Sequence, residues 1–316
     1  MKTALIFGIT GQTGAYLSRE LLHAGYRVVG TSRNWSESPT WRLERLGLLN
    51  DVAGISVSLH DHTALARALD STEPDEIYYL AGPSSVARSF AEPTVSMPEI
   101  FQPVISILDL LKQRDSTSAF VSAASTDCFG NQPGQLLSED SPMRPVSPYA
   151  IAKTATFSTT QNYREAFNLR ASSAVLTNHE SPLRGSDFVT QKIISGLREV
   201  RGGMRDKIFL GNTAIGRDWL WASDVARALT MIGSAPEPRD YIVASGRTST
   251  LEDFARLACR QFDLDPDVVI SHESSLMRPL EIERTSLDPS KIKRELNWSP
   301  EVSFENLVSR LVQDVL

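Results

Sequence analysis

Two residues whose types and spacing could move a proton stand one helical turn apart: Tyr149 and Lys153. They fall in Ser147-Pro148-Tyr149-Ala150-Ile151-Ala152-Lys153, where Ser147 suits a helix N-cap and Pro148 the first helical position. A helix starting there puts phenol and ammonium on one face. A nearby ammonium favours the phenolate, so the Tyr149 pKa is expected to fall toward the range useful for proton transfer. Upstream, Ser122-Ala123-Ala124-Ser125-Thr126-Asp127 ends an apolar run with two hydroxyls and a carboxylate. Alone, such a segment reads as a capped turn. Beside Tyr149 and Lys153, Ser125 and Asp127 become candidates to face a reacting ligand.

A second chemistry is written at the start. Gly8-Ile9-Thr10-Gly11-Gln12-Thr13-Gly14 follows the apolar run Ala4–Phe7 and opens a helical pattern. The first glycine permits a tight turn, the second lets backbone approach a pyrophosphate, and the third lets the helix pack on the strand. The helix N–H groups and dipole then favour phosphate. Gly8, Thr10, Gly11, Gln12 and Gly14 are therefore expected to hold a dinucleotide. At the end of Val28-Val29-Gly30-Thr31-Ser32-Arg33, where an NAD site usually carries a carboxylate, this chain has Ser32 and Arg33. A guanidinium matches the 2′-phosphate of NADP in charge and donor geometry, so NADP is the expected cofactor.

These residues need a frame. Short apolar runs at Ala4–Phe7, Arg27–Thr31, Ile55–Leu59, Glu76–Ala81, Ala119–Ala123 and Ser172–Thr177 read as strands. Helical spacing appears over Tyr16–Ala24 and Thr63–Leu69. The alternation predicts an α/β chain, a Rossmann-type doubly wound parallel sheet with a smaller interwoven C-terminal substrate lobe. Ligands bind beyond the carboxyl ends of such strands, where residues 125–127 fall. Later segments predict helices at Gln191–Val200, Trp219–Ile232 and Leu251–Phe262, a strand at Asp240–Val243, and a closing helix from Ser303. Residues 1–177 with about 215–247 are expected to form the NADP-binding domain, and about 178–214 with 248–316 the substrate lobe.

The 316 residues suffice for a large core, and 41% hydrophobic with 22% charged residues is ordinary globular usage. A net charge of −6 argues against a nucleic-acid surface. Cys128 and Cys259, the only cysteines, offer neither a disulfide framework nor a four-cysteine zinc site, and no metal is expected. The first residues are apolar over too short a stretch for a signal peptide or membrane span, so a cytoplasmic protein without membrane partner is expected.

The GxxGxxG spacing resembles the extended short-chain dehydrogenase/reductase superfamily. The chain as a whole resembles the GDP-mannose 4,6-dehydratase family. The likeness is carried by Gly8–Leu17, Glu76–Ala81, Tyr163–Leu169, Asn178–Gly185, Phe188–Ile193, Leu210–Asn212, Gly216–Trp219, Arg278–Glu281, Leu287–Lys291 and Leu296–Pro300. The resemblance implies a nucleotide-sugar substrate. Arg217 and Arg278 would clamp its diphosphate, with Asn178 and Lys192 lining the nucleotide pocket and Ser84, Ser85 and Glu281 also on the substrate. Asp61, Leu80, His179 and Arg184 would join the cofactor set, and Lys153 would also hold the nicotinamide ribose. It further implies that Tyr149 takes the 4-hydroxyl proton as C4 loses hydride. A carboxylate at 127 then removes the C5 proton, water leaves from C6, and hydride returns to C6.

Three departures keep alternatives open. The family's Thr-Ser-Glu is Ser125-Thr126-Asp127 here, one methylene shorter at the carboxylate. Ser58 stands at the family's adenine-side acidic position, although Asp61 is near. The segment before Arg278 is also shorter. A 4-keto sugar nucleotide reductase or epimerase would use Tyr149 and Lys153 as well, and a non-catalytic NADP-sensing module remains a third reading. The segment Arg33–Arg42 resembles a loop used in tetramer contacts by the family, so a homo-oligomer is expected.

Overall fold

The computed structural model describes residues 1–273, 275 and 280–316. Its strands are β1 (Thr3–Phe7), β2 (Arg27–Ser32), β3 (Ala53–Ser56), β4 (Glu76–Tyr79), β5 (Ala119–Ser125), β6 (Leu136–Leu137), β7 (Ala171–Leu176), β8 (Asn178–Glu180), β9 (Ile208–Leu210), β10 (Gly216–Trp221), β11 (Tyr241–Val243), β12 (Thr248–Thr250), β13 (Ile270–His272) and β14 (Ser286–Leu287). Its helices are α1 (Gln12–His23), α2 (Trp41–Arg45), α3 (His62–Thr72), α4 (Val86–Ala91), α5 (Pro93–Gln113), α6 (Pro148–Phe167), α7 (Val189–Arg201), α8 (Ala222–Ser234), α9 (Leu251–Gln261), α10 (Pro266–Val269), α11 (Ser290–Leu296) and α12 (Phe304–Gln313).

Seven parallel strands form the central sheet in the order β11-β7-β5-β4-β1-β2-β3. This is the doubly wound arrangement, and β1, wholly buried, lies between the two directions of winding. One face is covered by α1 and α8, with Tyr16, Leu17, Leu21, Val225, Leu229 and Trp298 in its core. The other is covered by α3 and α5 through Leu65, Leu69, Val104, Ile107, Leu108 and Leu111. By length and composition α5 alone, among the described residues, could cross a membrane; here its apolar stripe is buried against the sheet and α6.

A separate apolar cluster joins α7, α9 and α12 around Ile193, Leu197, Phe254, Leu307 and Leu311. The packing crosses the boundaries read from sequence. Trp219 and Trp221 enter this second cluster, whereas Ile292 and Trp298 return to the sheet-side core. Two element readings need correction. Residues 216–221 are a strand, and the helix starts only at Ala222. The bulky, wholly buried Gly216–Trp221 run pairs with β8 on one side and β12 on the other, which a helix could not do. The third strand lies at Ala53–Ser56, before the expected Ile55–Leu59, because its register follows β2 from Val29↔Ala53 to Ser32↔Ser56.

Candidate functional site

The glycine loop is shaped by contacts that leave no room for side chains. Gly8 has φ +92°, and a Cβ there would stand 2.9 Å from the Ala81 nitrogen. At Gly14 a Cβ would stand 2.4 Å from the Gly8 oxygen, so the third glycine lets α1 close on the loop. Helix α1 begins beyond Gly11 with no side-chain cap and no acidic residue in its first turn, which suits an anion. At the end of β2 the Ser32 hydroxyl is buried without a hydrogen-bond partner, and Arg33 is exposed. A loop that excludes a Cβ at Gly8 and Gly14, and a buried orphan hydroxyl at the adjacent strand end, fit a dinucleotide. Leu80 lies between β4 and Gly82, its N–H bonded to the Phe7 carbonyl. Asp61 instead caps α3, accepting from Thr63 and Ala64 N–H at 2.9 and 3.1 Å.

The proton-transfer group assembles as the spacing predicts. Ser147 caps α6 by accepting from Ala150 N–H at 3.1 Å, and Pro148 takes its first turn. Tyr149 is 9% and Lys153 7% exposed, against Ser125 at 8%. The tyrosine ring packs with Ile100 of α5, Ala152, Val86 and Met97. Ser125 Oγ accepts from Asp127 N–H at 3.2 Å and also favours the phenolate of Tyr149 by hydrogen bonding.

The expected lowering of the Tyr149 pKa is not found. Burial pushes the phenol well above its ordinary value, and the Asp127 charge raises it further. Lys153 Nζ donates to the Ala123 carbonyl at 2.7 Å and stands 6.0 Å from the Tyr149 ring centre. Burial pushes the Lys153 ammonium down to about 8. Sequence spacing showed the cation but neither the burial nor the facing carboxylate. Asp127 is nonetheless placed within electrostatic reach of the phenol, as its raising effect shows.

A polar network ties the glycine loop to the segment after β7. Gln12 Nε2 donates to the His179 carbonyl at 3.0 Å, and Ser181 Oγ donates to Gln12 Oε1 at 2.8 Å. The Thr177 carbonyl, 2.9 Å from His179 Nδ1, can only accept, so Nδ1 carries the proton and Nε2 accepts from Thr13 Oγ1 at 2.7 Å. Burial, then the Arg184 charge, pushes His179 down to about 4. Arg184 donates to the His179 carbonyl at 2.5 Å, pairs with buried Glu180 at 3.3 Å, and lies over Phe188.

A neutral His179 gives a signed pH prediction. The folded state resists protonation that the unfolded chain accepts near its ordinary 6.5. Its contribution is therefore whole above about 6.5 and is lost as pH falls toward about 4. Relative to His179→Asn, wild type should lose on the order of 1 kcal/mol of unfolding free energy per pH unit in that window. Chemical denaturation of both proteins from pH 7 to pH 5 measures this; a constant difference would contradict it.

Two of the substrate candidates, Asn178 and Arg217, lie on the three-stranded sheet β12-β10-β8. Arg217 is buried, donating to Glu281 Oε1 at 2.8 Å and to the Gly216 carbonyl at 2.9 Å. The structure thus joins two candidates 64 residues apart. Asn178 of β8 pairs in register with Trp219, beside the Arg217 strand. Lys192 is exposed on the first turn of α7, Ser84 is exposed after β4, and Ser85 caps α4 by accepting from Arg88 N–H. Arg278 lies outside the described residues.

Two residues were not singled out by sequence. Asp218, wholly buried beside Arg217, accepts from Ser245 and Gly246 N–H at 2.9 and 2.8 Å, and burial pushes its carboxyl up to about 6. It fastens the β11–β12 turn to β10. Arg42 donates to Leu183 and Thr10 carbonyls at 2.7 and 3.1 Å, bracing the glycine loop from outside. Their signals lay in long-range backbone partners, which no local pattern reveals.

Residues 5–311 match the family model described as GDP-mannose 4,6 dehydratase. GDP-mannose 4,6 dehydratase 2 of Arabidopsis thaliana is 37% identical over 325 residues, spanning 100% of this chain and 87% of that protein. GDP-mannose 4,6-dehydratase of Vibrio cholerae serotype O1 is 32% identical over 345 residues, spanning 98% and 92%. The crystal structure of dTDP-glucose 4,6-dehydratase from Bacillus anthracis, in complex with NAD, has a TM-score of 0.87 at 15% identity, covering 99% of this chain and 96% of that one. That last likeness speaks to the fold. With sequence identity sustained from end to end, and the glycine loop and tyrosine–lysine helix in place, the chain belongs to the GDP-mannose 4,6-dehydratase family.

Proposed function

We propose that this protein is an NADP-dependent GDP-mannose 4,6-dehydratase. The observation that carries the reading is Tyr149, Lys153, Ser125 and Asp127 gathered at the carboxyl end of β5, two strands from β1 and its glycine loop. Bound NADP supplies reversible hydride acceptance, so the sugar is oxidised at C4 and reduced at C6 without net redox change. Gly8, Thr10, Gly11, Gln12 and Gly14 would hold its pyrophosphate, Ser32 and Arg33 its 2′-phosphate, and Leu80, Lys153, His179 and Arg184 the remainder of the cofactor. Asp61 is the weakest member of that set, since α3 already uses its carboxylate.

Tyr149 takes the 4-hydroxyl proton. Its buried phenol rests protonated and accepts that proton only once ionised, a form that the Ser125 hydroxyl and then the Arg184 charge favour. Asp127 removes the C5 proton, which a 4-keto group acidifies, and passes it to the departing C6 hydroxyl, which leaves as water; a solvent proton then returns to C5 as C6 is reduced. Arg217 with Glu281, Asn178, Lys192, Arg278, Ser84 and Ser85 would hold the sugar nucleotide. A cationic Arg217 held at Glu281 is preorganised to meet a diphosphate. The two-lobed division and a homo-oligomer belong to the same reading.

Incubating the purified protein with GDP-mannose and NADP tests the proposal. A 4-keto-6-deoxy product should form without consumption of added NADPH. Unchanged GDP-mannose, with NADPH oxidised only when a keto sugar nucleotide is added, would instead identify a reductase. Parallel binding of GDP-, dTDP-, UDP- and CDP-sugars tests the base, with GDP-mannose expected to bind best.

A further inference from the structure

The segment that follows β2 does not trail into solvent. The Trp35 indole lies flat on the backbone of β3, and a Cβ at Gly54 would fall 1.7 Å from its Cε2 and 1.9 Å from its Cδ2. Only glycine leaves that slot open. Gly54 is the register partner of Gly30 on β2, where a Cβ would in turn meet Ile9 at 2.3 Å. Two side-by-side glycines thus form a floor for Ile9 and Trp35, which belong to one apolar cluster.

Polar contacts complete the seat. The Trp35 N–H donates to Ser56 Oγ at 2.9 Å, and Ser56 is the register partner of Ser32. Val57 N–H donates to the Ser32 carbonyl at 2.8 Å, holding the two strand ends together. Beyond them, Ser36 Oγ donates to Asn34 Oδ1 at 2.9 Å and Ser38 Oγ to the Asn34 carbonyl at 2.7 Å. The stretch is a self-bonded hook anchored at Trp35. Arg33 rides on it, between the strand end and the anchor, next to the buried and unpartnered Ser32 hydroxyl.

We propose that Trp35, seated on Gly54, is a positioning residue for cofactor choice: it fixes the hook so that Arg33 and Ser32 present their donors at one place, where the extra phosphate of NADP would sit. The proposal rests on the NADP reading given above. A long arginine on a mobile loop loses side-chain and backbone freedom when it grips an anion, and a loop fixed in advance removes most of that loss. NAD lacks the 2′-phosphate, so the seat matters little to it. The anchor therefore acts on the difference between two ligands, which a merely structural contact would not.

The test is the affinity of NADPH and of NADH for wild type, Trp35→Ala, Trp35→Phe, Gly54→Ala and Arg33→Ala, read by titration without sugar nucleotide. Trp35→Ala and Gly54→Ala should weaken NADPH about tenfold and NADH less than about twofold, while Trp35→Phe, which keeps a flat ring, restores most of the preference. Equal losses for both cofactors, or an unchanged preference in Trp35→Ala, would overturn the proposal. Should Gly54→Ala fail to fold, the two Trp35 variants still decide. Arg33→Ala separates the two levels. If wild type shows no NADPH preference, the NADP reading falls; if Arg33→Ala leaves the preference intact, Arg33 is not the phosphate reader and the anchoring role falls with it; if Arg33→Ala abolishes the preference while Trp35→Ala does not, only the anchoring role falls.

Discussion

Tyr149→Phe is expected to lower kcat for 4-keto product formation from GDP-mannose about a thousandfold, within the range general acid–base catalysis supplies. The substitution removes one oxygen and leaves the ring against Ile100, Ala152, Val86 and Met97. The phenol is buried and its pKa is raised, so deleting the hydroxyl leaves no buried charge behind. The melting temperature should therefore hold or rise, and Lys153, bonded to the Ala123 carbonyl at 2.7 Å, should keep its place. NADPH affinity should be near wild type. Loss of activity with intact fold and cofactor binding assigns the defect to proton transfer. A variant retaining a tenth or more of wild-type kcat would remove Tyr149 from the chemistry.

The second large effect is at Asp127. In Asp127→Asn, solvent deuterium should no longer enter C5, and product formation should fall about a hundredfold or more, since the amide cannot accept the proton. Oxidation at C4 does not need that carboxylate, so a 4-keto sugar retaining its 6-hydroxyl should accumulate in a single turnover. Asp127 also raises the Tyr149 pKa, and its neutralisation should ease phenol ionisation. Asp127→Glu extends the carboxylate by one methylene and should preserve C5 exchange. Exchange persisting in Asp127→Asn would assign the C5 base elsewhere. This pair also separates a dehydratase from a reductase, which has no use for a base at 127.

What the sequence made legible was local. Gly8, Gly11 and Gly14 announce a strand–turn–helix because their spacing falls directly between an apolar run and a helical pattern. Ser147, Pro148, Tyr149 and Lys153 could be placed on a helix because cap, first turn and pair lie within seven residues of one another. Helix α5 escaped notice: Pro93, Pro98 and Pro103 interrupt the pattern, yet burial of Ile100, Val104, Ile107, Leu108 and Leu111 holds it together over 21 residues. The short strands β8 to β10 and β12 to β14 escaped for another reason, whereas β11 falls within the expected Asp240–Val243. They span two to six residues and exist through partners far along the chain, as Asn178↔Trp219 and Arg217↔Ser249 do.

The electrostatics of Tyr149 show the same limit. Spacing reveals a lysine one turn away but says nothing of how deeply the phenol is buried or of how the Asp127 charge acts on it. The neutral state of His179 is equally hidden, since it follows first from burial and then from the Arg184 charge.

The crossing of segments between the two apolar clusters bears on how the chain is made. Trp298, whose indole donates to the Asp224 carbonyl at 3.1 Å, seals the α8 side of the central sheet, and Tyr241 of the edge strand bonds to Glu295 at 3.1 Å. A ribosome delivering this polypeptide has thus already released the nucleotide-binding loop while the face that must support it still lacks its last cover. Until the final helices emerge, that surface is open to chaperones or to a neighbouring nascent chain. Deletions at the carboxyl end should consequently appear first as poor yield during synthesis, before any effect on turnover is seen.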